Sequence, residues 1–82
     1  MTTDSSTKIL VADDDLEILA LVARHLNALP AEVVEASDGE EALRLARREK
    51  PDLVVLDVMM PGMSGWEVCR AIREDESLGH TG

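Results

Sequence analysis

Two hydrophobic periods alternate along this chain. Lys8-Ile9-Leu10-Val11-Ala12 is an apolar run of strand length. Beyond it, apolar side chains at 16, 19, 20, 23 and 26 follow the i, i+3, i+4, i+7 spacing of an amphipathic helix, predicted over Leu16–Leu29. Asp14 or Asp15 supplies its cap, and Pro30 helps to end it. Ala31–Ala36, with Val33-Val34, reads as a second strand. Ser37-Asp38-Gly39 turns the chain into a helix from about Glu40 to Glu49, which Lys50-Pro51 terminates. That helix is acidic in its first turn and basic in its last, matching the helix macrodipole.

Leu53-Val54-Val55-Leu56-Asp57-Val58 is the most apolar stretch, and it shows no alternation. The expectation is a strand buried on both faces, as in a parallel sheet. Met59–Ser64, with Pro61 and Gly62, reads as a loop. A third helix is predicted from Gly65 to about Glu74, with Val68, Ala71 and Ile72 facing inward. Residues 1–6 read as a disordered tail and 75–82 as a loose, polar one. The order βαβαβα predicts an α/β fold, a single domain over 1–82 whose right-handed crossovers build one parallel sheet.

Composition narrows the function classes. With 45% apolar and 30% charged residues, the 82-residue chain can bury a core and stay in water. Acidic residues outnumber basic ones 17 to 8, for a net charge of −9. Such a surface repels phosphate backbones and anionic lipid, so direct nucleic-acid and membrane partners are not expected. Cys69 is the only cysteine, so no internal disulfide is expected and a reducing compartment fits. Met1 to Ser6 is polar and lacks the apolar segment of a signal peptide. The combined expectation is a cytoplasmic protein.

The candidate chemistry is acidic. Strand one leads into Asp13-Asp14-Asp15, and strand three leads into Asp57. In an open parallel sheet, ligands bind beyond the carboxyl ends of the strands. If the first strand is central, with order 2-1-3, then Asp13, Asp14 and Asp57 converge although 43 or 44 positions separate them. Carboxylates that close repel and call for protons or a cation. Mg²⁺ suits them, since it takes oxygen ligands and only one or two carboxylates plus waters. A backbone carbonyl from the following loop, that of Met59, can complete the set. An ion held there draws in a phosphoryl donor while an aspartate attacks phosphorus.

These residues carry a family resemblance. Lys8-Ile-Leu-Val-Ala-Asp13-Asp14-Asp15, Asp38-Gly39-Glu-Glu-Ala42 and Pro51-Asp52-Leu-Val-Val-Leu-Asp57-Val-Met-Met-Pro61-Gly62-Met-Ser-Gly65 together resemble the receiver domain of two-component response regulators. The resemblance runs from Lys8 to about Gly79 and implies a flavodoxin-like (CheY-like) sheet. It implies that Asp57 is the phosphoacceptor for a histidine kinase or phosphotransfer protein. Asp13, Asp14, Asp57 and the Met59 carbonyl would bind Mg²⁺, and the chain would be a signalling module and not an enzyme. Receivers have five βα units, whereas these 82 residues hold three. The family's Ser/Thr after the fourth strand and Lys after the fifth are not among them. The expectation is therefore a truncated receiver whose third strand has a bare outer edge, open to pairing with a second copy. The alternative reading is a dimerisation or interaction module that keeps half the receiver fold and is not phosphorylated.

Simpler roles account for other residues. Asp15 reads as a cap only, His25 and His80 as surface residues, and Cys69 as a small packing residue. Met59, Met60 and Met63 read first as loop and core filler, and Trp66 as partial cover for the third helix. Arg44, Arg47, Arg48 and Lys50 read as the basic end of a helix.

Overall fold

The computed structural model describes residues 7–82; the tail expected over 1–6 lies outside them. The order is β1 (Lys8–Ala12), α1 (Leu16–Leu26), β2 (Glu32–Ala36), α2 (Gly39–Glu49), β3 (Leu53–Leu56) and α3 (Gly65–Glu74), followed by a 3₁₀ turn at Glu76–Leu78. The strands form one parallel sheet in the order β2-β1-β3. Ile9 sits opposite Val33 and Leu53, and Ala12 opposite Ala36 and Leu56. The expected fold class and strand order are both observed.

Each helix starts at a short polar side chain that accepts otherwise unpaired backbone N–H groups. Asp15 accepts from Glu17 and Ile18, and Asp38 from Glu41. Ser64 and Glu67 form a reciprocal capping box. α1 ends at Leu26, short of the expected Leu29. The chain tightens there, with Ala28 N–H donating to the His25 carbonyl and Leu29 N–H to that of Leu26. Pro30 disfavours helical backbone at the residue before it, which explains the early stop.

Alternation along β1 divides the core in two. Leu10 and Ala12 point to the side covered by α2 and α3, where Val68, Ile72 and Leu78 join them. Ile9 and Val11 point the other way, against Leu19 of α1. α1 packs on β1 and β2, which leaves part of β3 uncovered on that side. Leu53 is 43% exposed and Val55 38%. β3 is thus covered on one face only, correcting the expectation of burial on both, because no helix among the described residues lies over Leu53 and Val55. The strand itself ends at Leu56, two residues before the expected end.

The segment after α3 departs from the loose tail expected of it. Asp75 accepts hydrogen bonds from the backbone N–H and the hydroxyl of Ser77, at 3.0 and 2.6 Å. Leu78 is buried in the main core. Gly82 N–H donates to the Asp52 carbonyl and Val54 N–H to the Gly82 carbonyl, both at 2.9 Å. Those two bonds are one rung of a parallel ladder on the outer edge of β3. The edge expected to be bare is therefore met by Gly82 at its lower end. Burial of one leucine and a backbone rung order a stretch that side-chain polarity had marked as mobile.

Candidate metal centre

Strand register builds the acidic site. Asp13 N–H donates to the Ala36 carbonyl at 3.2 Å, and Asp57 N–H donates to the Ala12 carbonyl at 3.0 Å. Both aspartates thus continue the ladders one step past Ala12 and Leu56, at the carboxyl edge of neighbouring strands. Adjacent strands run about 4.8 Å apart, so a long sequence separation shrinks to one inter-strand step.

One carboxylate oxygen each from Asp13, Asp14 and Asp57 lies within 4.8 Å of the others. Asp13 and Asp57 are half-buried and Asp14 is exposed. Asp13 Oδ1 accepts from Asp15 N–H at 2.9 Å, and Asp57 Oδ1 accepts from Met59 N–H at 3.4 Å. These bonds orient the two carboxylates but supply no full positive charge. None of the three forms an ion pair among the described residues. Asp15 points elsewhere, its Oδ1 accepting from Glu17 N–H at 3.0 Å and Ile18 N–H at 3.3 Å. Lys8 sits at the opposite end of the sheet, with Nζ 2.9 Å from Glu49 Oε1.

The donor set fits a small hard cation. Oxygens about 2.1 Å from an octahedral ion lie about 3 Å apart when adjacent and about 4 Å apart when opposed. Carboxylates already within 4.8 Å reach that geometry through small side-chain rotations.

The loop after Asp57 is shaped by its backbone. Pro61 presets one turn residue, and Gly62 adopts φ +76°, a conformation that side chains disfavour. At the loop's end, Gly65 N–H donates to the Val58 carbonyl at 3.0 Å. A Cβ at Gly65 would fall 2.2 Å from the Asp57 carbonyl oxygen. Only glycine lets α3 start this close to the aspartate. Sequence reading left this role unassigned, though glycine opening a helix is a usable signal, since it costs roughly 1 kcal/mol against alanine. On the segments that follow the carboxylates, Leu16 at the start of α1, Met59 in the loop and Trp66 at the start of α3 are 67%, 80% and 70% exposed. Val58, Met59, Met60, Pro61, Ser64 and Trp66 line a shallow cleft of ≈ 580 Å³.

The family description "Response regulator receiver domain" matches residues 9–80. The chain belongs to this family. The receiver is 51% identical over 71 residues to the alkaline phosphatase synthesis transcriptional regulatory protein PhoP of Bacillus subtilis, covering 87% of this chain and 30% of that one. It is 45% identical over 75 residues to the response regulator PleD of Caulobacter vibrioides, covering 92% and 16%. The chain thus spans less than a third of these curated relatives. Among solved structures, the chemotaxis response regulator CheY4 of Vibrio cholerae superposes with a TM-score of 0.84 at 36% identity, covering 89% of this chain and 61% of that one. A response regulator receiver protein domain from Methanoculleus marisnigri gives 0.81 at 37%, covering 87% and 58%. Receiver domains are signalling modules of two-component systems. In this receiver, no helix among the described residues is long and apolar enough to cross a membrane.

Proposed function

We propose that this receiver accepts a phosphoryl group on Asp57 from the phosphohistidine of a histidine kinase or phosphotransfer protein. Asp13, Asp14, Asp57 and the Met59 carbonyl would hold Mg²⁺ for the transfer. The observation that carries this reading is the convergence of three carboxylates with no cationic side-chain partner among the described residues, at the edge where β1 and β3 end. When bound, the ion neutralises charge and polarises the phosphoryl oxygens. A carboxylate oxygen of Asp57 attacks phosphorus, the donor's N–P bond breaks, and the imidazole leaves with the bonding pair. Met59 N–H, already directed at Asp57 Oδ1, orients the nucleophile. Lys8, tied to Glu49 at the far end, takes no part. The exposed Leu16, Met59 and Trp66 offer apolar contacts to the docking donor.

The test combines Mg²⁺ titration, read by Trp66 fluorescence and calorimetry, with exposure to a small acyl phosphate. The wild type is expected to bind Mg²⁺ and gain one phosphoryl group, detected by intact-protein mass spectrometry. Asp57→Asn is expected to gain none. Magnesium binding with no modification of the wild type would instead support the interaction-module reading, for which no observed contact argues.

A further inference from the structure

The β2–α2 corner touches the loop beside the metal centre, and it does so at a glycine. Gly39 is buried and opens α2. A Cβ placed there would lie 2.0 Å from the Met63 carbonyl oxygen, 2.8 Å from its carbonyl carbon and 2.9 Å from the Met63 Cβ. Its φ is not positive, unlike that of Gly62, so the requirement is for space and not for backbone freedom. The obstacle is main chain, which cannot swing aside as a flexible side chain can.

Both partners in this contact are braced. In the corner, Asp38 Oδ1 accepts from Glu41 N–H at 2.7 Å, while Glu41 Oε1 accepts from the Ser37 N–H at 2.8 Å and hydroxyl at 3.2 Å. In the loop, Met60 is buried in the main core and Met63 packs against it. Gly65 closes the loop against the Asp57 carbonyl. Residues 59–64 are thus wedged between two close backbone approaches, one at each glycine.

We propose that Gly39 is a positioning residue for the metal pocket. By admitting the Met63 carbonyl into the space of a side chain, it sets where the Met59–Ser64 loop lies relative to Asp57. It thereby tunes the affinity of the pocket for Mg²⁺. This rests on the reading that Asp13, Asp14, Asp57 and the Met59 carbonyl hold the ion. Alanine at 39 pushes the loop back by about 1 Å, and Mg²⁺ tolerates little departure from octahedral geometry.

The experiment is a Mg²⁺ titration of the wild type, Gly39→Ala and Leu19→Ala, at a temperature where circular dichroism shows all three folded. Leu19 lies in the other core, on the inner face of α1, so its truncation lowers stability without touching the loop. Gly39→Ala is expected to weaken Mg²⁺ binding about tenfold while Leu19→Ala stays within about twofold of the wild type. Unchanged affinity in Gly39→Ala, or equal weakening in Leu19→Ala, would overturn the proposal. If Gly39→Ala does not fold, Met63→Gly removes the Met63 Cβ that faces Gly39 and frees the backbone carrying the seated carbonyl, and is expected to weaken binding about threefold; a folded Met63→Gly with wild-type affinity overturns it. A wild type that takes up no Mg²⁺ sinks the metal reading itself, and the role of Gly39 falls with it.

Discussion

Ile9 and Leu10 are neighbours in β1, yet they face different environments. On the Leu10 side, α2, α3 and the 3₁₀ turn seal β1 and the inner face of β3 into one continuous core. On the Ile9 side, a single helix covers β1 and β2, and Leu53 and Val55 remain open. Hydrophobic residues mark both faces equally well, so hydrophobicity does not decide which is sealed. The number of helices that the crossovers deliver to each face decides it.

The largest test of this contrast is Leu10→Ala, which empties the centre of the sealed face. Urea denaturation should show a loss of about 3 kcal/mol or more, typical of a leucine truncation that leaves a cavity; below about 1 kcal/mol the face is not the main core. Leu78→Ala comes next, with about 2 kcal/mol expected because the residue is buried although it follows the last helix. A negligible change there would return residues 75–82 to the loose tail that polarity suggests. On the open face, Val55→Thr should stay within about 0.5 kcal/mol, as for other partly exposed positions. A cost as large as that of Leu10→Ala would mean that this face is covered in solution.

The ends of the strands differ too, in charge rather than apolar cover. At the carboxyl edge three acids meet with no lysine or arginine paired to them among the described residues, whereas at the opposite edge Lys8 and Glu49 pair. The hydrogen bond from Lys8, followed by that from Arg48, holds the Glu49 carboxyl below its ordinary value of 4.5. A carboxyl so lowered contributes stability in full above the unfolded value, and that contribution fades as pH falls through the folded one. Lys8→Met should therefore flatten the acid limb of the stability curve slightly and raise the Glu49 pKa seen by NMR. The smallest expected effect is at Asp75, whose carboxyl is held low first by the Ser77 hydroxyl, then by the Ser77 backbone N–H, and in part by Arg47. Ser77→Ala should move its pKa upward with little change in fold.

The acidic site was legible in the residues because Asp13 and Asp57 each follow an apolar run of strand length. Parallel pairing then carries both to the same edge. The glycines were not legible in this way. Gly39 serves a contact with Met63, on a segment remote in sequence, while Gly65 closes against the Asp57 carbonyl across its own loop, and nothing beside either glycine names the partner. Leu78 was missed for a similar reason, since a lone leucine in a polar stretch has no period to announce burial.

Period and capping chemistry were enough to determine the three βα units, their α/β class and the candidate acids, because those signals act between residues a few positions apart. Tertiary structure alone decided that β3 is sealed on one side only, that the final residues return to its edge, and that Met63 seats on Gly39. Each depends on the distance between segments remote in the chain. That distance is set by helix placement and close packing, which local hydrophobicity does not encode.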